Sequence, residues 1–235
     1  MGEPLSVTVS EVGPWRVEHR RGSAAALHEA PVPGDVGPSV WICEPTRPAL
    51  VLGSTQRGHV VPPGLLAAGG VDLVIRRSGG GAVLLVPGST TWVDLVIPAR
   101  HHRWDPDVGR ATHWVGALWA DALAAVGVGA TVHHGPMQPT EWSRTVCFAG
   151  IGPGEVLDPS GHKLVGVSQR RTRQAARFQT VAHHRTDPAA VVELLGLDAE
   201  DREAAVAATT ATSRALDVAS ARVLDALVTA LADLA

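Results

Sequence analysis

The chain has 235 residues, of which 45% are hydrophobic and 18% charged, with a net charge of −3 and two cysteines. This length suits one large domain with a full core, and the composition is that of an ordinary soluble protein. The negative charge excludes the basic footprint of a nucleic-acid-binding protein, and two cysteines provide no disulfide framework. No apolar run is long enough to span a membrane, and the N-terminus lacks the apolar region of a signal peptide, so we expect a cytoplasmic protein.

Short apolar runs bounded by glycine and proline predict strands in the first half of the chain. These strands are expected at 39–43, 49–53, 71–77, 81–86 and 90–98. A run with proline near its start and glycine at its end predicts a short helix over 61–70. Apolar residues spaced three and four apart predict an amphipathic helix over 107–126. Its expected buried face comprises Val108, Ala111, Val115, Leu118, Ala122 and Val126.

The second half continues with strands and ends in helices. Strands are predicted at 130–134, 154–158, 163–168 and 177–184. Proline and glycine within 158–162 favour a chain reversal, so 154–167 is expected to form a hairpin. Residues 187–235 are predicted to be helical, with one apolar stripe formed by Leu216, Val223, Leu224, Leu227, Val228, Leu231 and Leu234. This order favours an α+β fold, with a domain at 1–186 and a helical segment packed on it at 187–235.

The glycine-rich stretch Arg-Arg-Ser-Gly-Gly-Gly-Ala-Val at 76–83 joins two predicted strands. Three consecutive glycines let backbone N–H groups converge on an oxygen-rich ligand, and Arg76 and Arg77 could neutralise a phosphate or carboxylate. The stretch is neither a Walker A loop nor a dinucleotide fingerprint, because no Gly-Lys-Ser/Thr follows and a strand comes next. A plain hairpin turn is the alternative explanation.

Lys163 is the only lysine among the 20 basic residues. A compact ammonium can approach a single oxygen where the planar fork of arginine does not fit. In a chain that otherwise uses arginine, this choice favours a functional lysine over a stray surface residue.

Three segments together resemble one family. Residues 47–58 resemble the strand and loop near the start of lipoate–protein ligases and their octanoyltransferase relatives. Residues 74–83 resemble the Ser/Thr-Gly-Gly-Gly-Ala-Val motif that lines their acyl-adenylate pocket. Residues 146–171 are similar to their Cys-Phe stretch and the hairpin bearing Gly-x-Lys-x-x-Gly-x-Ser/Ala-Gln, in which Lys163 falls on the pocket lysine. The resemblance extends over roughly residues 10–185.

The resemblance implies a biotin/lipoate ligase-like catalytic domain, a mixed sheet flanked by helices. In the ligase version, ATP, Mg²⁺ and lipoate give lipoyl-AMP, which a lysine of a lipoyl-carrier domain attacks. That carrier is a 2-oxoacid dehydrogenase acyltransferase subunit or the glycine cleavage H protein. Lys163 is then expected to stabilise charge at the acyl carboxylate or the bridging phosphate. The expected binding residues are Arg76, Arg77, Ser78, Gly79, Gly80, Gly81, Ala82, Gly166, Ser168, Gln169 and His183.

Some octanoyltransferases of this family instead use a cysteine nucleophile, at the position that Cys147 matches, and need no cofactor. The thiolate accepts octanoyl from acyl carrier protein as a thioester and passes it to the carrier domain. A nearby ammonium such as Lys163 would stabilise that thiolate. A buried, purely structural thiol beside Phe148 is the alternative.

Several features depart from the family pattern. Leu84-Leu85-Val86 stands where the family usually has His-Asp, and the first helix is reduced to residues 23–31. The ligase accessory domain is expected to be missing or reduced to the C-terminal helices. The predicted function is therefore a lipoate–protein ligase-like enzyme that attaches a lipoyl or octanoyl group to a carrier lysine through an acyl-adenylate. An octanoyltransferase that uses Cys147 and a non-catalytic protein that binds acyl ligands are the alternatives. A biotin ligase is a weaker option because the sequence has no Gly-Arg-Gly-Arg loop.

The remaining polar clusters carry weaker predictions. No cysteine or acidic residue lies at zinc spacing near the three His-His pairs, so no metal site is predicted. Four arginines, Arg170, Arg171, Arg173 and Arg177, are predicted to form a solvated or carrier-docking face, because carrier domains are commonly acidic. Cys43 is expected to be structural.

Overall fold

A computed structural model describes residues 5–32, 37–58, 61–184 and 187–234. The strands are β1 (Ser6–Val12), β2 (Trp15–Gly22), β3 (Ser39–Pro45), β4 (Ala49–Leu52), β5 (Asp72–Ile75), β6 (Val83–Leu85), β7 (Thr90–Pro98), β8 (Thr131–Val132), β9 (Val156–Leu157), β10 (Lys163–Arg171) and β11 (Ala175–His183). The α-helices are α1 (Ala24–Glu29), α2 (Pro63–Gly69), α3 (His113–Ala125), α4 (Ala199–Thr212) and α5 (Ser220–Ala232). None of these helices is long and apolar enough to cross a lipid bilayer.

The strands form two sheets of mixed direction. The large sheet has the order β1-β2-β3-β7-β11-β10-β9-β8, and the small sheet has the order β5-β4-β6. Among the strands that the structure describes, β2–β3 and β4–β5 pair in parallel, and the other strand pairs are antiparallel. The predicted α+β fold with a mixed sheet flanked by helices is confirmed.

Both faces of the large sheet are covered, and β7 shows how the sequence achieves this. Successive side chains of a strand point to opposite faces. Val93, Leu95 and Ile97 therefore join a core with α3 and α5. Trp92 and Val96 face the other way and join a second core with α1 and the small sheet. Every residue of β7 is consequently buried, which explains its nearly continuous apolar sequence.

The C-terminal helices share the main core. Val223, Leu227 and Leu231 of α5 are buried in the same cluster as residues of α3 and β7. The chain leading to α5 also pairs with the large sheet, because the Leu216 N–H donates to the His183 carbonyl at 2.8 Å. The domain boundary predicted at residue 186 lies outside the described residues.

The helix predicted over 107–126 begins only at His113, so that prediction was wrong at its start. Asp107 accepts a hydrogen bond from the Arg110 N–H at 2.9 Å, and a 3₁₀ helix follows at Arg110–Thr112. Such side-chain bonds to nearby N–H groups compete with helix formation. Val108 is consequently 58% exposed rather than buried.

The prediction that Arg177 belongs to a solvated basic face was also wrong. Arg177 is buried and donates to the Asp94 carboxylate at 2.6 Å. It also donates to the Leu27 carbonyl at 2.9 Å, at the end of α1. The buried guanidinium therefore attaches α1 to the large sheet, because the last carbonyls of a helix have no partner within it.

Candidate active site

An apolar cavity lies between the two sheets and is covered by α1. Its empty space, part of which opens to solvent, amounts to about 380 Å³. Its walls come from α1, β6, β7, β10, β11 and the segment after Val146. The lining residues are His28, Arg76, Val83, Leu85, Trp92, Cys147, Phe148, Gly166, Val167, Ser168, Gln179 and Val181. The mixture of apolar walls with a few polar groups is typical of a small-molecule site.

A more polar and more open cleft of about 880 Å³ adjoins this cavity. Four residues line both spaces: Arg76, Cys147, Val167 and Ser168. The cleft adds Gly79, Gly80 and Gly81 from the glycine-rich loop, together with Glu155 and Lys163. A ligand with an apolar tail and a polar head could therefore place their junction beside Cys147.

Cys147 begins a short 3₁₀ helix, Cys147–Ala149, and its side chain is partly exposed. Its backbone N–H donates to the Ala82 carbonyl at 2.9 Å, and the Ala82 N–H donates to the Thr145 carbonyl at 2.8 Å. These two bonds join the cysteine segment to the end of the glycine-rich loop. The loop therefore fixes the position of the thiol.

Arg76 is the cation that contacts the Cys147 thiol. Its side chain hydrogen-bonds Cys147, and it also donates to the carbonyls of Gly79 at 2.8 Å and Gly81 at 3.0 Å. Burial lowers the pKa of Arg76, and the contact with Cys147 opposes that shift. Within the described residues Arg76 pairs with no carboxylate, so it can support a thiolate or another anion.

Lys163 is almost completely buried in the wall of the polar cleft. Its ammonium donates to the carbonyls of Cys147 and Gly150, both at 2.6 Å, and to both carboxylate oxygens of Glu155 at 3.0 Å. An ammonium has three N–H donors, and all three have acceptors here. Lys163 therefore orients the backbone on either side of Phe148, and it contacts the Cys147 carbonyl rather than the sulfur.

Glu155 is equally well bonded. It accepts from the Gly152 N–H at 2.7 Å and from the Val167 N–H at 3.2 Å, in addition to Lys163. The Lys163–Glu155 pair thus connects β10 to the loop that follows Cys147.

Gly81 packs against the backbone of the cysteine segment. A Cβ atom at Gly81 would lie 2.6 Å from the carbonyl carbon of Val146 and 2.7 Å from the nitrogen of Cys147. Gly79 has open space at the same position. Only one of these two glycines is therefore required for packing.

We expect Gly81→Ala to lower the melting temperature, because the added methyl group must displace the Cys147 backbone. Gly79→Ala serves as the matched control and should leave the melting temperature unchanged. Thermal melts of both variants test this. Equal melting temperatures for the two variants would contradict it.

Some of the other predicted binding residues lie at the site, whereas Arg77 and His183 do not line it. Gly166, Ser168 and Gln169 line the cavity or the cleft. Ser78 is buried between them, donating to Gln179 at 2.7 Å and accepting from Ser168 at 3.2 Å.

Arg77 lies apart from this site. It is exposed and lines a separate pocket with His28, Glu29, Arg57 and Ile75. Neighbouring residues at the end of β5 point in opposite directions, so only Arg76 enters the site.

His183 lies beneath the site and lines neither space. Its ring contacts the Phe148 ring edge-on at 4.8 Å, and neither ring nitrogen has a partner among the described residues. Burial first, and then the charges of His184 and Lys163, lower the pKa of His183 to about 4. His183 is therefore neutral in the folded protein near neutral pH.

This shift predicts a loss of stability in acid. Between pH 6.5 and about 4 the unfolded chain binds a proton at His183 that the folded chain does not, so the free energy of unfolding falls as the pH falls. The contribution is about 3 kcal/mol at most. Urea unfolding across this range should give a shallower pH dependence for His183→Gln than for the wild type. His19→Gln, at an exposed histidine, is the control and should keep the wild-type pH dependence. If the free energy of unfolding of His183→Gln changed with pH as steeply as that of the wild type, the expectation would be contradicted.

Sequence reasoning missed four residues of the site: Glu155, His28, Gln179 and Trp92. Glu155 and His28 carried a weak signal, since each is a polar residue within an otherwise apolar or small-residue stretch. Gln179 and Trp92 lie in strands where only the sheet register shows which face they occupy.

A family model for the lipoyl protein ligase A/B catalytic domain matches residues 24–231. The chain belongs to this family. It is an enzyme of the ligase or transferase class, and the predicted resemblance is confirmed. The matched range contains the residues that line the cavity and the cleft, and it extends through α4 into α5. No curated protein matches the sequence.

Solved structures show the same fold at low sequence identity. A bipartite lipoate protein ligase from Thermoplasma acidophilum, described with its E2 lipoyl domain, has a TM-score of 0.67 and 19% identity, covering 88% of this chain and 74% of that one. A putative lipoate protein ligase of the same organism, with bound lipoic acid, has a TM-score of 0.67 and 15% identity, covering 95% and 86%. A lipoate-protein ligase A bound with ATP has a TM-score of 0.66 and 17% identity, covering 95% and 85%.

Proposed function

We propose that this enzyme transfers an octanoyl group to a lysine of a lipoyl-carrier domain through a thioester on Cys147. The position of Cys147 carries the proposal. The thiol lies where the apolar cavity meets the polar cleft, and the buried Arg76 guanidinium hydrogen-bonds it. Cysteine attacks as the thiolate, and the guanidinium is a cationic group already placed beside this sulfur.

The reaction has two balanced steps. The Cys147 sulfur attacks the carbonyl carbon of an octanoyl thioester on acyl carrier protein, and the carrier sulfur leaves with the proton that Cys147 lost. The amine of the acceptor lysine then attacks the new thioester, forming an amide and returning a proton to Cys147. Arg76 stabilises the thiolate at both stages, because the guanidinium is already in place and needs no rearrangement.

The cavity suits the alkyl chain of such a substrate. Val83, Leu85 and Val181 provide apolar walls, and Gly166 leaves room beside the thiol. A Cβ atom at Gly166 would lie 3.8 Å from the Cys147 sulfur. Leu85, at the place where the family usually has a polar pair, is buried and contributes to this apolar wall.

Lipoate ligation through an acyl-adenylate is the second candidate, because two of the similar structures hold lipoic acid or ATP. The open backbone at Gly79 fits the approach of a phosphate. The donor set does not fit a protein-held Mg²⁺. Among the residues that the structure describes, Glu155 is the only carboxylate lining the cleft, and it is paired with Lys163. Mg²⁺ sites in phosphoryl-transfer enzymes generally use one or two available carboxylates. The thioester route is therefore the better supported one.

We further propose that the acceptor is the lipoyl domain of a 2-oxoacid dehydrogenase acyltransferase subunit or the glycine cleavage H protein. One similar structure is of a ligase described with an E2 lipoyl domain. The turn between β10 and β11 carries the exposed Arg173, with Arg170 and Arg171 half-buried beside it. Without the buried Arg177, the predicted basic face is reduced to these three arginines. Their positive charge suits an acidic carrier domain.

Intact-mass spectrometry tests the two candidates directly. The protein and a lipoyl domain are incubated with octanoyl–acyl carrier protein, or with lipoate, ATP and Mg²⁺. The proposal expects an octanoyl adduct on Cys147 and then on the lipoyl domain in the first mixture only. Modification in the second mixture alone would establish the ligase and overturn the thioester route. No modification in either mixture would contradict both.

A further inference from the structure

His28 is a buried histidine in the wall of the apolar cavity. It belongs to α1 and is 9% exposed, and its ring stacks on the Trp92 ring at 4.4 Å. Burial, followed by the nearby charges of Arg177 and Arg76, lowers the pKa of His28 well below its ordinary value. The imidazole is therefore neutral, with one N–H donor and one acceptor nitrogen.

The hydrogen bonds around Gln179 assign the tautomer. The Ser78 hydroxyl donates to the Gln179 side-chain oxygen at 2.7 Å, so the amide nitrogen points the other way. That nitrogen lies 3.2 Å from Nδ1 of His28, and Gln179 also donates a hydrogen bond to the Asp94 carboxylate. Nδ1 of His28 must therefore accept, which places the proton on Nε2.

Nε2 has no hydrogen-bond partner among the described residues and almost no exposed surface. Leaving a buried donor unpaired is costly, and few such groups occur in folded proteins. The ring that carries this donor lines the cavity. A ligand atom in the cavity is the acceptor still available to it.

The sheet register places His28 at the far end of the cavity from Cys147. Gly166 pairs with Val181, and Val181 pairs with Trp92. Gly166, beside the Cys147 sulfur, and Trp92, under the His28 ring, are thus two strand spacings apart, roughly 10 Å. This is about the extended length of an octanoyl chain. Beyond His28 lies the separate pocket lined by Arg57 and Arg77.

We propose that Nε2 of His28 donates a hydrogen bond to the far end of a bound acyl chain that carries an oxygen or sulfur acceptor there, so that the cavity, which also accepts the octanoyl chain, binds such chains more tightly. This inference rests on the proposed function, since it takes the chain to run from Cys147 across β11 to Trp92. His28 is then a specificity-determining residue that does not touch the reacting atoms.

Calorimetric titration of the whole protein with three acids tests this. Octanoate has no terminal acceptor, 7-oxooctanoate has an oxygen that can only accept, and lipoate has ring sulfurs. The wild type should bind 7-oxooctanoate about 3- to 10-fold tighter than octanoate, the range expected of one neutral hydrogen bond. His28→Phe retains an aromatic ring on Trp92 but has no donor, and it should bind octanoate at least as tightly as 7-oxooctanoate.

The outcomes separate this inference from the proposed function. The same ratio of affinities in both proteins would overturn the role of His28 while leaving the acyl cavity in place. If none of the acids binds, the role of His28 is overturned, while octanoyl transfer from acyl carrier protein is decided separately by the mass-spectrometric experiment. Lipoate shows whether sulfur is a sufficient acceptor, since its affinity should then also fall in His28→Phe relative to octanoate.

A second measurement needs no variant. In the nitrogen-15-labelled wild-type protein, the imidazole spectrum should show the proton of His28 on Nε2, and the Nε2 signal should shift when 7-oxooctanoate is added but less with octanoate. A purely structural histidine would not give this difference. A proton on Nδ1 would overturn the inference even if His28→Phe fails to fold.

Discussion

Replacing Cys147 by alanine is expected to lower the rate of acyl transfer by at least about 1,000-fold, because the first step then has no nucleophile. The fold should persist, since the side chain is partly exposed and its anchoring bonds to Ala82 and Lys163 use the backbone. Initial rates of lipoyl-domain octanoylation measure the effect. Circular dichroism and a thermal melt show whether the variant is folded.

Cys43→Ala is the matched control for this experiment. Cys43 is 4% exposed, and its thiol donates to the Trp41 carbonyl at 3.7 Å. Burial raises the pKa of Cys43 well above its ordinary value, so it stays a thiol. This variant should retain transfer. A Cys147→Ala protein that still acylates the lipoyl domain at the wild-type rate would exclude the thioester route.

Breaking the Lys163–Glu155 pair is expected to cost about 3–5 kcal/mol of unfolding free energy, the range for leaving one charge of a buried pair alone. Lys163 and Glu155 side chains are only 1% and 6% exposed. Lys163→Met also removes the donor shared by the carbonyls of Cys147 and Gly150, so transfer activity should fall with stability. Urea unfolding of Lys163→Met and Glu155→Gln measures this.

An exposed pair provides the control for this prediction. The Arg47 and Asp72 side chains are 61% and 35% exposed and lie 3.7 Å apart. Arg47→Met should cost less than about 1 kcal/mol, because water screens such pairs. If Lys163→Met abolished activity at unchanged stability, Lys163 would act on the substrate rather than on the backbone of the site.

Local sequence patterns determined most of the secondary structure. Glycine and proline mark the ends of β3, β4 and β7, and the hairpin of β9 and β10 turns where Gly161 adopts a positive φ of 87°. The glycine-rich loop, Lys163 and Cys147 were also identified from the sequence. Each belongs to a contiguous motif, which a single sequence displays directly.

Other features depend on contacts between distant segments. Arg177 resembles the exposed arginines near it in sequence. It is nevertheless buried, because Asp94 on the neighbouring strand β7 and the end of α1 accept its hydrogen bonds. The same holds for the pairing of His28 with Gln179, residues 151 positions apart.

The sequence by itself therefore determined the family, the fold class and the identity of the nucleophile candidate. The tertiary structure decided which cation contacts that thiol: Arg76 at the sulfur, with Lys163 committed to Glu155 and two carbonyls. The physical reason is that charge, burial and hydrogen bonding at a site depend on which side chains the packed sheets bring together. Spacing along the chain does not contain that information.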